Sequence, residues 1–320
     1  MDADGTNVAI ACQGGGSHTA YTAGALDAFA RSMPPDHELV GLSGASGGAI
    51  CAFLSWYGLT TADAERAGEL LDSFWTEIAA RSPPDALLNG LAMTGTELEA
   101  SGAALPAASP YFSPASRRAQ DRIRRTLEGL VDLDALDGTD HESGPRLLVG
   151  AVDVERGVFE TFEDREVTID AVLASGALPT VFPAVEVDGH AYWDGLLSEN
   201  PPLLGLLDGP RAETPDELWI VQVNPQTRDG APRSLPDIED RRNELSGNLA
   251  LNKDVGAIEQ VNDWLDAGYL PESEYKHVAV RTLRLDRDLS YASKLDRDPA
   301  FIAELVAAGR EDAAAFLDRR

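Results

Sequence analysis

Twice within the first fifty residues a short apolar run stops on a cluster of glycines and gives way to a helical pattern. Val8–Cys12 (VAIAC) ends at Gly14-Gly15-Gly16, and from Thr19 onward Tyr21, Ala25, Leu26 and Phe29 form a stripe at helical spacing. Leu39–Ser43 runs into Gly44-Ala45-Ser46-Gly47-Gly48, which is followed by the apolar stretch Ala49–Leu54. A run that is apolar throughout has no face to offer water, so it suits a strand covered on both sides in a parallel sheet. Parallel neighbours need a crossover, and the helical stretches supply it; with right-handed crossovers, residues 8–57 are a β-loop-α-β-turn-α unit. The chain is expected to be α/β.

The remainder extends that reading. An amphipathic helix is predicted over 61–80 and is stopped by Pro83-Pro84. Residues 84–113 mix Ala, Gly, Ser, Thr and Pro with scattered apolars such as Leu87, Leu88, Leu91 and Phe112, which predicts a long loop serving as a lid or binding excursion. A helix is expected near 115–129, strands at Arg146–Val154 and Val158–Phe162, and a short helix at Ile169–Ser175. Val185–Val187 and His190–Trp193 read as a hairpin about Asp188-Gly189, and Leu218–Val223 as a further buried strand. Long helices start at Ser234-Leu235-Pro236-Asp237 and at Asp298-Pro299, with a strand at His277–Leu285 between them. No repeat or linker divides the chain, so 1–320 is read as one domain, with 234–320 as a helical C-terminal extension packed on the core.

Charge narrows the partners. There are 54 acidic residues against 26 Lys and Arg, a formal charge of −28, and no basic stripe to neutralise phosphates, so nucleic acid is not an expected partner. The acids are dispersed along the chain, and self-repulsion on that scale is tolerable when salt shortens the Debye length to ~3 Å at about 1 M. A protein adapted to high intracellular salt is expected; stability that rises between dilute and molar KCl is the result that checks it. Two cysteines, Cys12 and Cys51, make no disulfide framework, the acidic Met1–Gly5 has no signal-peptide character, and no apolar run approaches the ~18 residues of a membrane span. The expected location is cytoplasmic.

The chemistry centres on Ser46. Gly44-x-Ser46-x-Gly48 stands between a buried strand and a buried helix, where small neighbours permit the strained turn of a nucleophile elbow. Gly47 N–H, at the start of that helix, can stabilise an oxyanion, and Gly14-Gly15-Gly16 brings further backbone donors from the adjacent strand. A serine needs a base within reach. Asp194, which ends the hairpin strand Ala191-Tyr192-Trp193 and precedes Gly195, is one candidate; a Ser46–Asp194–His277 triad is another. Because the glycine loop also has the look of a phosphate loop, a nucleotide-binding module stays open, although the Walker lysine and the third dinucleotide glycine are missing.

Four blocks taken together resemble the patatin-like phospholipase family: Gln13-Gly14-Gly15-Gly16, Gly44-Ala45-Ser46-Gly47-Gly48, Ala174-Ser175-Gly176-Ala177-Leu178-Pro179-Thr180-Val181-Phe182-Pro183, and Tyr192-Trp193-Asp194-Gly195. The resemblance implies a three-layer α/β/α sandwich with a mainly parallel central sheet. It also implies a Ser–Asp dyad, without histidine or any cofactor or metal, acting on acyl esters of lipids. On this pattern Ser46 is the nucleophile, Asp194 the base, and Gly14, Gly15 and Gly16 the oxyanion loop. The chain departs from the family where an Arg or Lys usually follows the glycines: here Ser17-His18-Thr19 stands, with His18 as an auxiliary that supplies a weaker positive group or a hydrogen bond. It departs again at Leu196, after Asp194-Gly195. A catalytically inactive scaffold is the alternative that the first departure raises. Lipid or another acyl ester is the expected substrate, with transient contact to a membrane surface through the apolar residues of 84–113. Asp240–Asn248 and Ser293–Asp296 also resemble bacterial members of the family, with salt bridges and caps as their expected role.

Overall fold

A computed structural model describes residues 5–100, 109–136, 144–209, 214–287 and 289–319. Five strands form a parallel set: β1 (Thr6–Cys12), β2 (His37–Gly44), β3 (Arg146–Asp153), β7 (Glu217–Gln222) and β8 (Ala279–Arg284), in the spatial order β3-β2-β1-β7-β8. Three antiparallel strands extend the β3 side: β4 (Val158–Glu163) and β6 (His190–Asp194) pair with β3, and β5 (Val185–Val187) pairs with β6. The sheet is therefore mixed, mostly parallel.

Both faces are covered. Side chains alternate along a strand, and in β1 they divide between two cores: Val8, Ile10 and Cys12 join one, Ala9 and Ala11 the other. The first core is closed by α1 (Ala20–Ser32), α2 (Gly47–Thr61), α3 (Ala64–Ile78) and α8 (Pro299–Asp318), through residues such as Leu26, Phe53, Leu70 and Phe316. The second is closed by α7 (Leu235–Asp266), through Leu251 and Ile258, and by Leu203 and Leu206. This is the three-layer sandwich. Small Ala9 and Ala11 face Leu203, Leu251 and Ile258 in the thinner second core, while Ile10 and Trp219 fill the first.

Two expectations need correction. Residues 84–100 are not a loop: α4 runs from Pro83 to Ala100. Pro83-Pro84 was expected to act as a stop, yet α3 has already ended at Ile78, and proline is favoured in a first helical turn because its missing N–H would be unpaired there anyway. Residues 101–108, the middle of that stretch, lie outside the described residues; α5 (Pro114–Leu130) follows. Nor does the segment after 234 only pack on the core as an extension: the strand expected at His277–Leu285 is β8, and it completes the sheet beside β7. No helix among the described residues is long and apolar enough to cross a membrane.

Candidate active site

Sheet register explains why two residues 148 positions apart can meet. β2 ends beside β3 at the pair Gly44↔Val149, and two residues further along β3, Ala151 pairs with Asp194 at the end of β6. The chain leaving β2 reaches Ser46 at that same level, so serine and carboxylate face each other past the end of β2. Asp194 is 1% exposed, and the Ser46 hydroxyl stands near enough to its carboxyl group to pull its pKa down. Oδ1 accepts the Leu196 N–H at 2.9 Å, so the departure at Leu196 keeps the turn through its backbone. Burial pushes the Asp194 pKa up to about 7, against the smaller downward pulls of the Leu196 N–H and the Ser46 hydroxyl.

Ser46 holds φ 55°, ψ −129°, a conformation unfavourable for any residue with a Cβ. The surroundings impose it. Ser46 N–H donates to Ser175 Oγ at 3.0 Å, and that hydroxyl in turn donates to the Gly150 carbonyl of β3 at 2.6 Å. Ser175, at the end of α6 (Ile169–Ser175), thus fastens the elbow to the sheet. A Cβ at Gly14 would stand 2.6 Å from Ser46 Cβ and from the Ala45 carbonyl oxygen, so only glycine lets the two loops touch.

The glycines are not equivalent. Gly14 N–H donates to Asn200 Oδ1 at 2.6 Å and its carbonyl accepts from Asn224 Nδ2 at 2.7 Å, so Gly14 is a fixed point of the loop and its N–H is unavailable to an oxyanion. That corrects its expected role. Among the described residues nothing accepts from the Gly15 or Gly16 N–H, and the Gly47 N–H lies in the first turn of α2, where no intrahelical acceptor exists. These three are among the donors left in the loops next to Ser46.

His18 is also corrected. It is buried, Nε2 lies 2.7 Å from Ser293 Oγ, and Nδ1 has no partner among the described residues. Burial, and secondarily the charge of Lys294, hold its pKa down at about 3. The ring is neutral and supplies no positive group; because Ser293 Oγ donates to the Ser290 carbonyl, it accepts from His18 Nε2–H. His277 is exposed and precedes the N-terminal end of β8, the end of the parallel set opposite Ser46. Six residues of strand alone put on the order of 20 Å between the two ends, which removes the triad. A cavity of about 570 Å³ lined by Trp56, Arg146, Glu163 and Arg165 also opens at that opposite end.

Ser175, Asn200 and Asn224 went unrecognised as positioning groups in the sequence. Each acts through side-chain hydrogen bonds to distant peptides, and no local pattern announces that.

The patatin-like phospholipase family model matches residues 10–207. No curated protein sequence matches the chain. Similar solved structures include VipD from Legionella pneumophila, at 15% identity and a TM-score of 0.46, covering 98% of this chain and 67% of that one. The type III effector ExoU is similar at 16% identity and a TM-score of 0.36, covering 99% of this chain and 53% of that one. ExoU in complex with SpcU from Pseudomonas aeruginosa matches at 16% identity and a TM-score of 0.35, covering 98% of this chain and 52% of that one. The chain thus spans about half the length of ExoU.

Proposed function

Because the chain belongs to the patatin-like phospholipase family and is a lipid acyl hydrolase, we propose that it cleaves lipid acyl esters with a Ser46–Asp194 dyad and an oxyanion hole built from the Gly15, Gly16 and Gly47 amides. The observation that carries this reading is the Ser46 hydroxyl, on a strained elbow, beside a buried carboxyl whose pKa stands near neutrality. A carboxylate at its ordinary pKa of ~3.9 is a weak base for a hydroxyl, and raising it brings general-base work into range.

The proposed reaction has two halves. Asp194 accepts the Ser46 proton as Oγ attacks the ester carbonyl carbon, and the carbonyl oxygen takes the negative charge in front of the three amides. Collapse expels the alcohol, which leaves with the proton from Asp194, and the acyl group stays on Ser46. Water then gives a proton to Asp194 as it attacks the acyl carbon, and collapse releases the fatty acid while Asp194 returns that proton to Ser46 Oγ.

Labelling by a fluorophosphonate in molar KCl, with peptide mapping, tests the assignment. Label on Ser46 that is lost in Ser46→Ala is expected; label elsewhere, or none on a folded and hydrolytically active protein, overturns it.

Exposed apolar side chains Leu87, Leu88 and Leu91 of α4, with Phe112 after it, supply a surface for acyl chains or a lipid interface. The helix packs against α7 and against residues 292–295, which lie on the glycine loop. Each leucine that buries against an acyl chain contributes ~1.5 kcal/mol, about tenfold. Changing Leu87, Leu88 and Leu91 together to Ser should lower turnover of long-chain esters at least tenfold relative to short-chain ones. An equal effect on both would count against this surface.

A further inference from the structure

Three glycines have no side chains with which to hold themselves in place, yet oxyanion donors must lie ~2.7–3.1 Å from the developing charge. The restraint comes from one face of α7. Asp240, Glu244 and Asn248 recur every four residues, share that face, and are all buried. Two buried carboxylates demand partners. Arg228 bonds both of them, Arg241 meets Glu244 at 3.2 Å, and Lys294 Nζ lies 2.6 Å from Asp240 and 3.1 Å from Glu244.

Both ends of the glycine loop lead back to this cluster. At the start, Gln13 Nε2 donates to Asn248 Oδ1 at 2.8 Å, while Gln13 Oε1 accepts the Val223 and Asn224 N–H groups at 3.1 and 2.8 Å. At the tip, Gly16 (φ 58°) lies so close to Lys294 that a Cβ there would fall 2.3 Å from the Lys294 carbonyl oxygen. One residue before Lys294, Ser293 takes the hydrogen bond from His18. The Lys294 side chain is tethered inside the ion cluster, and its backbone is the wall on which Gly16 rests.

We propose that Lys294, fixed by Asp240 and Glu244, is a positioning residue for the oxyanion loop, with Asn248 as its counterpart at the other end. The proposal rests on the Ser46–Asp194 reading above. Lys294 touches no substrate; it sets where the Gly15 and Gly16 amides stand relative to Ser46.

The test measures kcat and KM on a water-soluble ester, with rates expressed per active site titrated to completion by a fluorophosphonate. Lys294→Met should lower kcat per titrated site ~10–100-fold, the scale of a misplacement near 1 Å, with KM within about twofold. Lys294→Met takes from Asp240 the one cation other than Arg228 that it pairs with among the described residues, and Arg228 is shared with Glu244, so Lys294→Met combined with Asp240→Asn should recover the melting temperature without recovering kcat. A merely structural lysine predicts the reverse: unchanged kcat per titrated site in the single variant, or a kcat that returns with stability in the double. Either result overturns the proposal. If Lys294→Met does not fold, Asn248→Leu, which leaves no unpaired charge, decides by the same split between kcat and KM. A wild type that neither hydrolyses ester nor takes label fells the dyad reading and this inference with it. An active wild type beside an unimpaired Lys294→Met fells this inference alone.

Discussion

Ser46→Ala is expected to lower kcat on every ester substrate by about 10⁵–10⁶, with substrate binding retained. The loss is that of the nucleophile, because the glycine amides remain to polarise the carbonyl but nothing remains to attack it. Ser46→Gly should be equally inactive yet more stable than Ser46→Ala. The elbow at φ 55°, ψ −129° penalises a Cβ by ~1–3 kcal/mol, whereas glycine's extra unfolded-state entropy costs ~0.5–1. The difference favours glycine by about 1 kcal/mol, which urea unfolding of the two variants can resolve. Turnover within tenfold of wild type in Ser46→Ala would remove the serine from the chemistry, and equal stability of the two variants would remove the strain.

That strain is also where local sequence and global fold disagree most usefully. β1 was legible because five consecutive apolar residues can only be covered on two sides, and the structure divides them between two cores. Ser46 was legible because glycines flank it on a strand-to-helix turn, and Asp194 because it stands at a hairpin's end ahead of Gly195. The pairing of Ala151 with Asp194, which brings the carboxyl level with Ser46, is a register fact that no local spacing carries. α4 was missed because Pro83-Pro84 reads equally as a stop or a start, and only the end of α3 at Ile78 separates the two. His18 invited a charged role by its position after the glycines, but charge depends on burial, which single residues do not reveal. Salt bridges were expected of Asp240 and Glu244, but their burial was hidden for the same reason, and their partners Arg228 and Lys294 lie in other parts of the chain.

Asp194→Asn is expected to lower kcat by about 10³–10⁴, the scale of a lost general base, and at the same time to stabilise the fold above neutrality. In the unfolded chain this carboxyl titrates near 3.8, whereas burial holds it near 7 in the native state. Between those values the folded protein keeps a proton that the unfolded chain has shed, so stability falls as pH rises across the window. Below about pH 4 the group is neutral in both states and contributes no penalty. Above 7 the native state carries a desolvated carboxylate at a cost of roughly 2–4 kcal/mol. Asparagine retains an oxygen for the Leu196 N–H and has no charge to bury. The variant should therefore match wild type in urea unfolding at pH 4 and exceed it by about 2–4 kcal/mol at pH 8. Wild-type kcat/KM should rise through pH 7 to a plateau, because only the ionised carboxyl can take the serine proton. A flat wild-type profile across pH 6–8, together with a variant less stable at pH 8, would make Asp194 a structural acid instead of the base. The expected pairing of lost rate with gained stability would mean that the carboxyl's burial, which destabilises the native state, is what makes it basic enough to act on Ser46.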